Sequence, residues 1–153
     1  MRIVAGGLLA LLWAGAAAAA CSPDRVTVEG AFGRAAFSVT VADDNAERSR
    51  GLMFVEEMPT MAGMLFVYEG PRRATFWMRN TLIPLDMLFA DPAGRITHIH
   101  ENAVPLDETT IDGGEGVQFI LEINGGMASR LGIAVGDVMQ HPSMGPDAAL
   151  PCE

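Results

Sequence analysis

The chain has 153 residues, half of them hydrophobic, with nineteen acids against ten basic residues. That length suits one domain with a real core. A net charge of −9, with every basic residue an arginine, disfavours phosphate backbones and anionic headgroups, so nucleic acid and peripheral membrane are poor partners.

In chain order, Arg2 precedes an apolar run from Ile3 to Trp13, and a small-residue tract, Ala14 to Ala20, ends at Cys21. A short basic end, an apolar core and an Ala-x-Ala site predict a cleaved secretory signal over residues 1–20 and a periplasmic mature domain over 21–153. The uncharged stretch 3–20 is also long enough for an anchor, but its alanine-rich end suits cleavage better. Removal of Arg2 leaves nine arginines against nineteen acids. The two cysteines, Cys21 and Cys152, stand at the extremes of the mature chain, and an even count in an oxidising compartment predicts that they pair. The competing expectation is a lipoprotein with Cys21 lipidated, the one route by which a membrane would enter. Against it, Ala18 stands where such signals commonly carry leucine, and Cys152 would be left unpaired.

Val26–Glu29 and the alternating Ala35–Val41 predict two strands. Asp44 and Glu47 have capping-box spacing, so a short helix over about 45–52 follows, softened by Gly51. A loop runs from Met53 through Gly63, and Met64–Tyr68 reads as a buried strand closed by a Glu69-Gly70-Pro71 turn. Two apolar, β-forming runs then flank a polar island: Phe76-Trp77-Met78, then Arg79-Asn80-Thr81, then Leu82 to Phe89 with Asp86 inside it. Each run reads as a strand, with a bend or sheet edge at Pro84, which cannot donate a ladder hydrogen bond. Asp91-Pro92-Ala93-Gly94 fits a type I turn; Ile96–His100 alternates again, and the polar stretch 101–116 reads as a long surface loop. Val117–Ile123 is the last strong strand, Met127–Leu131 a short helix stopped by Gly132, and Val135–Met139 a closing turn and strand. Seven or eight strands and about two short helices predict a mainly β, single small domain of barrel or sandwich type.

Several segments together resemble the domain-of-unknown-function family 192, DUF192. They are Glu47-Arg48-Ser49-Arg50-Gly51-Leu52-Met53, Gly63-Met64-Leu65-Phe66, Phe76-Trp77-Met78-Arg79-Asn80-Thr81, Ile83-Pro84-Leu85-Asp86, Leu121-Glu122 and Gly136-Asp137. The resemblance covers roughly residues 35–140. It implies a mainly β single domain, often exported, and no established activity.

Three residue sets invite chemistry. Arg79, Asn80 and Asp86, with Glu122 as a neighbour and Trp77 as apolar lining, compose a candidate polar pocket for a ligand bearing hydroxyl or amide groups. The plainer alternative is an internal network in which Asp86 and an arginine, Arg79 or Arg48, satisfy each other. Met58, Met61 and Met64 are evenly spaced, and thioethers suit Cu(I), although methionine also packs irregular gaps; Met139, His141 and Met144 form a looser set. His98 and His100 share a strand face, but zinc requires further ligands that the sequence does not supply. No nucleophile elbow, zincin motif or phosphate-cradling loop is present. The expectation is therefore a non-catalytic binding or accessory protein of the cell envelope, without a cofactor, recognising a small polar ligand or an envelope protein. The alternatives are an enzyme with Asp86 and Glu122 as acid and base, or a Met-based Cu(I) binder.

Overall fold

The computed structural model describes residues 21–152, and the leader expected over residues 1–20 lies outside them. Seven strands form one sheet: β1 (Arg25–Gly30), β2 (Gly33–Ala42), β3 (Ala62–Phe76), β4 (Leu85–Ala90), β5 (Ile96–Ala103), β6 (Ile111–Asn124) and β7 (Val138–Gln140). Their spatial order is β5-β4-β6-β3-β2-β1-β7. Among the described residues only β2 and β3 pair in parallel, and parallel neighbours need a crossover. The chain between them supplies it, carrying α1 (Asn45–Arg50). The sheet curls into a half-barrel whose two edges meet at one end: Ile96 N–H donates to the Asp137 carbonyl and Gly136 N–H to the Ile96 carbonyl, each at 2.8 Å.

Two hydrophobic clusters lie on opposite faces of this sheet. The inner one draws on all seven strands and includes Val28, Phe37, Leu65, Leu88, Phe119, Leu121 and Met139, together with Met127 and Ala128 of α2 (Met127–Leu131). The outer one gathers Phe66, Met87, Phe89 and Ile120 beneath Leu52 and Met78. Each fully buried large side chain contributes about 1.5–3 kcal/mol. The inner cluster therefore holds the barrel, and the outer one holds the covering segments.

Local rules select the short elements. Asp44 accepts the Glu47 N–H at 2.8 Å, and the Glu47 carboxylate reaches back to Asp43 N–H at 3.2 Å. This reciprocal cap starts α1, and Gly51 ends it at φ 49°. The Asp91 carbonyl accepts the Gly94 N–H at 2.9 Å in the expected turn. Cys21 and Cys152 are disulfide-bonded. Beside that bond, His141 Nδ1 accepts the Ser143 N–H at 3.1 Å, so Nε2 carries the proton and donates to the Pro23 carbonyl at 3.0 Å. The two ends of the described segment are pinned to one another.

Three expectations are corrected. The Glu69-Gly70-Pro71 turn is absent: β3 runs straight through it as one strand of 15 residues. Its pairing with β6 slips register three times between Val67 and Thr75. Bulges absorb extra residues without ending a strand, and here they absorb a proline. The loop expected over 101–116 shrinks to 104–110, because the glycines that looked like loop lie within β6, opposite those bulges. Finally, the first apolar run of the central stretch is no strand of its own. Phe76 ends β3, Trp77–Pro84 is irregular, and β4 begins only at Leu85.

Candidate functional site

Strand parity sorts the candidate residues. Successive side chains point to opposite faces, and the register aligns Thr40, Met64, Glu122 and Met87 in one row across β2, β3, β6 and β4. Asp86 is one residue out of that row, opposite Ile123. The two carboxylates considered as an acid–base pair therefore project from opposite faces of the same sheet. They are not brought together.

Asp86 is fully buried on the inner face. Its Oδ1 accepts the N–H groups of Asn102 and Gly126, and its Oδ2 that of Ala128, all at 2.8 Å. The Gly126 N-cap position of α2 has no side chain to offer, so β4 supplies the capping carboxylate from across the fold. A bulge in β5 aims Asn102 at it, with Asn102 held at φ 52°. Gly125 closes the knot, since a Cβ there would sit 3.0 Å from the Pro84 Cβ and 3.1 Å from Asn102 Oδ1. Pro84-Leu85-Asp86 and Asn124-Gly125-Gly126 thus form one structural unit.

Asn80 is also placed structurally. It occupies the left-handed region at φ 54°, its carbonyl accepts the Phe54 N–H at 2.9 Å, and its amide points to Met53 Sδ at 3.9 Å. Neither Asn80 nor Asp86 lines the cleft on the outer face.

Glu122 does. It is 4% exposed on the outer face, at a cleft of about 280 Å³ between α1, β3 and the Phe76–Thr81 segment. Arg48, Arg50 and Arg79 line the same cleft, with Tyr68, Trp77 and Thr75. The Glu122 carboxyl has no hydrogen-bond partner among the described residues, and no fully enclosed side-chain polar atom there is unsatisfied. Its oxygens therefore open into the cleft. Burial raises its pKa to about 8, so at neutral pH it is mostly a neutral acid able to donate as well as accept.

The surrounding arginines differ in freedom. Arg48 is committed: it donates to the Val67 carbonyl and to Asn45 Oδ1, both at 2.8 Å, and lies 4.9 Å from the Tyr68 ring centroid. Arg72 stacks on the same ring at 4.7 Å, and burial raises the Tyr68 hydroxyl pKa. Arg79 lies over Trp77 at 5.3 Å and meets Glu108 at 3.7 Å in an exposed pair, of the weak, screened kind. Arg50 has no side-chain hydrogen-bond or ion-pair partner among the described residues. Arg48, Arg50 and Tyr68 were not among the candidate residues read from sequence for this pocket. Arg48 and Arg50 do fall in the segment carrying the family resemblance, which was the available signal.

The methionine triplet is parted. Met61 packs against the inner cluster, whereas Met58 and Met64 pack against the outer one, where they line a groove together with Met53. Met139 and Met144 are core residues, and both nitrogens of His141 are engaged. Among the described residues no group of three His, Cys, Asp or Glu is placed to hold a metal ion.

The sequence profile of DUF192, described as "Uncharacterized ACR, COG1430", matches residues 26–141. The chain belongs to the DUF192 family. No curated protein matches it. Among solved structures, a Novosphingobium aromaticivorans DSM 12444 protein of unknown function is 44% identical, covering 88% of this chain and 99% of its own, with a TM-score of 0.74. A Sinorhizobium meliloti 1021 protein, named as a candidate transcription regulator, is 39% identical over 82% of this chain and 98% of its own, with a TM-score of 0.77. This DUF192 chain therefore shares its sheet with two near-full-length relatives.

Proposed function

We propose that this DUF192 protein is an exported, non-catalytic binding domain of the cell envelope that holds a small polar ligand in the Glu122 cleft. One observation carries the reading: a buried, mostly neutral carboxyl group without a protein partner faces a cleft bordered by three arginines. Its oxygens open into the cleft and meet no protein donor among the described residues, so a ligand hydroxyl, amide or carboxylate can take them as partners. The arginines add recognition of negative charge, and the Trp77 and Tyr68 rings an apolar lining. Export is supported by the leader-like start of the sequence and is compatible with the Cys21–Cys152 bond.

Binding is favoured over catalysis by the company Glu122 keeps. General acid–base chemistry with two groups needs a second one in reach, and the cleft-lining residues include no histidine, cysteine or other carboxylate. The Sinorhizobium relative is named for transcription regulation; in this chain nine excess acids oppose a phosphate backbone.

The test is ligand-dependent thermal stability of the oxidised protein across sugars, amino acids, short carboxylates and peptidoglycan fragments. A ligand bound only by the folded state raises the midpoint. The expected result is a shift that Glu122→Gln or Arg79→Gln reduces while the variant remains folded. A shift indifferent to both variants would sink the cleft as the site.

A further inference from the structure

Beside the cleft runs a second, larger depression of about 580 Å³ on the same outer face. Its walls are apolar and pliable: Leu52, Met53, Val55, Met58 and Met64, with Asp24, Ser38 and Thr40 among its polar residues. Methionine is unbranched and adapts to irregular apolar shapes, so this wall suits a flexible chain better than one rigid ring. The two depressions adjoin across Arg50, Gly51, Leu52 and Met53, which line both. Arg50 stands at that junction with no ion-pair partner among the described residues. Its charge is therefore available where the apolar groove meets the polar cleft.

We propose that the groove takes the hydrocarbon chain of a free fatty acid whose carboxylate is held by Arg50 at the mouth of the Glu122 cleft. This rests on the cleft being a ligand site, and it names the class of ligand. An apolar chain of ten or so carbons alone would have no reason to choose this groove over another. The guanidinium supplies one, because it binds a carboxylate through paired, charge-assisted hydrogen bonds. Glu122 favours a carboxylate head over a doubly charged phosphate. A neutral acid can donate one hydrogen bond to a singly charged oxygen, while the acidic surface penalises each added negative charge. The size agrees as well: a cavity of several hundred Å³ with apolar walls and few polar groups is the usual form of a small-molecule site.

The experiment uses oxidised protein from Cys21 onward, which contains every described element of the fold and leaves Trp77 as the single tryptophan, at the cleft. Trp77 fluorescence and calorimetry follow titration with dodecanoate below its micellar concentration, with butanoate (head without chain) and with dodecanol (chain without charge). Dodecanoate is expected to bind at least about tenfold more tightly than either fragment. Arg50→Gln should reduce dodecanoate to the affinity of dodecanol and leave dodecanol unchanged. Met58→Glu should weaken both long-chain ligands and spare butanoate. Equal binding of butanoate and dodecanoate, both lost in Glu122→Gln, overturns the chain site and leaves the cleft reading standing. Dodecanoate binding that ignores both Arg50→Gln and Glu122→Gln overturns the two together.

Discussion

Two buried carboxylates lie one strand apart in this protein and do opposite things. Asp86 faces the inner cluster and spends both oxygens on three backbone N–H groups. Glu122 faces the outer side, meets no protein donor among the described residues, and opens into a cleft. Burial is common to both, so burial does not mark a site. What separates them is their partners: a carboxylate saturated by backbone N–H groups is part of the framework, and one that meets no protein donor and opens into a cleft is available to a ligand.

The largest expected effect tests the framework half of that contrast. Asp86→Ala orphans three N–H groups and should destabilise the fold by about 3–5 kcal/mol, read as a lower urea midpoint, with Asp86→Asn recovering part of it. A loss below ~1 kcal/mol would mean that the carboxylate is not the clamp the geometry describes.

Next comes the pH profile of Glu122. The unfolded chain releases this proton near its ordinary value of 4.5, whereas the folded chain keeps it until about 8. Between those values the folded state binds more protons, so stability falls as pH rises through the window. Denaturation of wild type and Glu122→Gln across it should show the variant gaining about 2–4 kcal/mol relative to wild type from the acidic to the basic end. A constant difference would contradict a buried neutral acid.

A smaller effect belongs to the knot around Asp86. Gly125→Ala places a methyl group against Pro84 and Asn102 and should cost about 1–3 kcal/mol by overpacking. Calorimetric midpoints would reveal it, and a neutral result would show that the knot can open. The smallest change is expected at the cleft rim. Arg50→Gln and Arg79→Gln should each move stability by no more than ~0.5 kcal/mol, so any ligand effect they have can be read without a folding correction.

Much of this architecture is legible locally. The Asp44–Glu47 cap and the Asp91–Gly94 turn depend on residues within a few positions, so spacing alone reveals them. The α2 helix shows only its Gly132 stop locally and takes its start from Asp86 of β4. Where local rules misled, a distant partner had intervened. Glu69-Gly70-Pro71 has the composition of a turn, yet β6 holds it extended by slipping register at three points. The glycines over 113–116 look like loop for the same reason, and Asn80 looked like a ligand group because sequence does not show a backbone held at positive φ.

By itself the sequence determined the mainly β class, the short helices and the membership suggested by its motifs, and it offered the pairing of its two cysteines as one of two expectations. All of these follow from composition, local periodicity or distinctive short segments. Only the tertiary structure decided the site. A strand reveals which residues alternate, but the face each set occupies depends on register with strands far away in the chain. One step of register places Met87, and not Asp86, beside Glu122. That step divides an apparent pair of carboxylates into a clamp and a cleft.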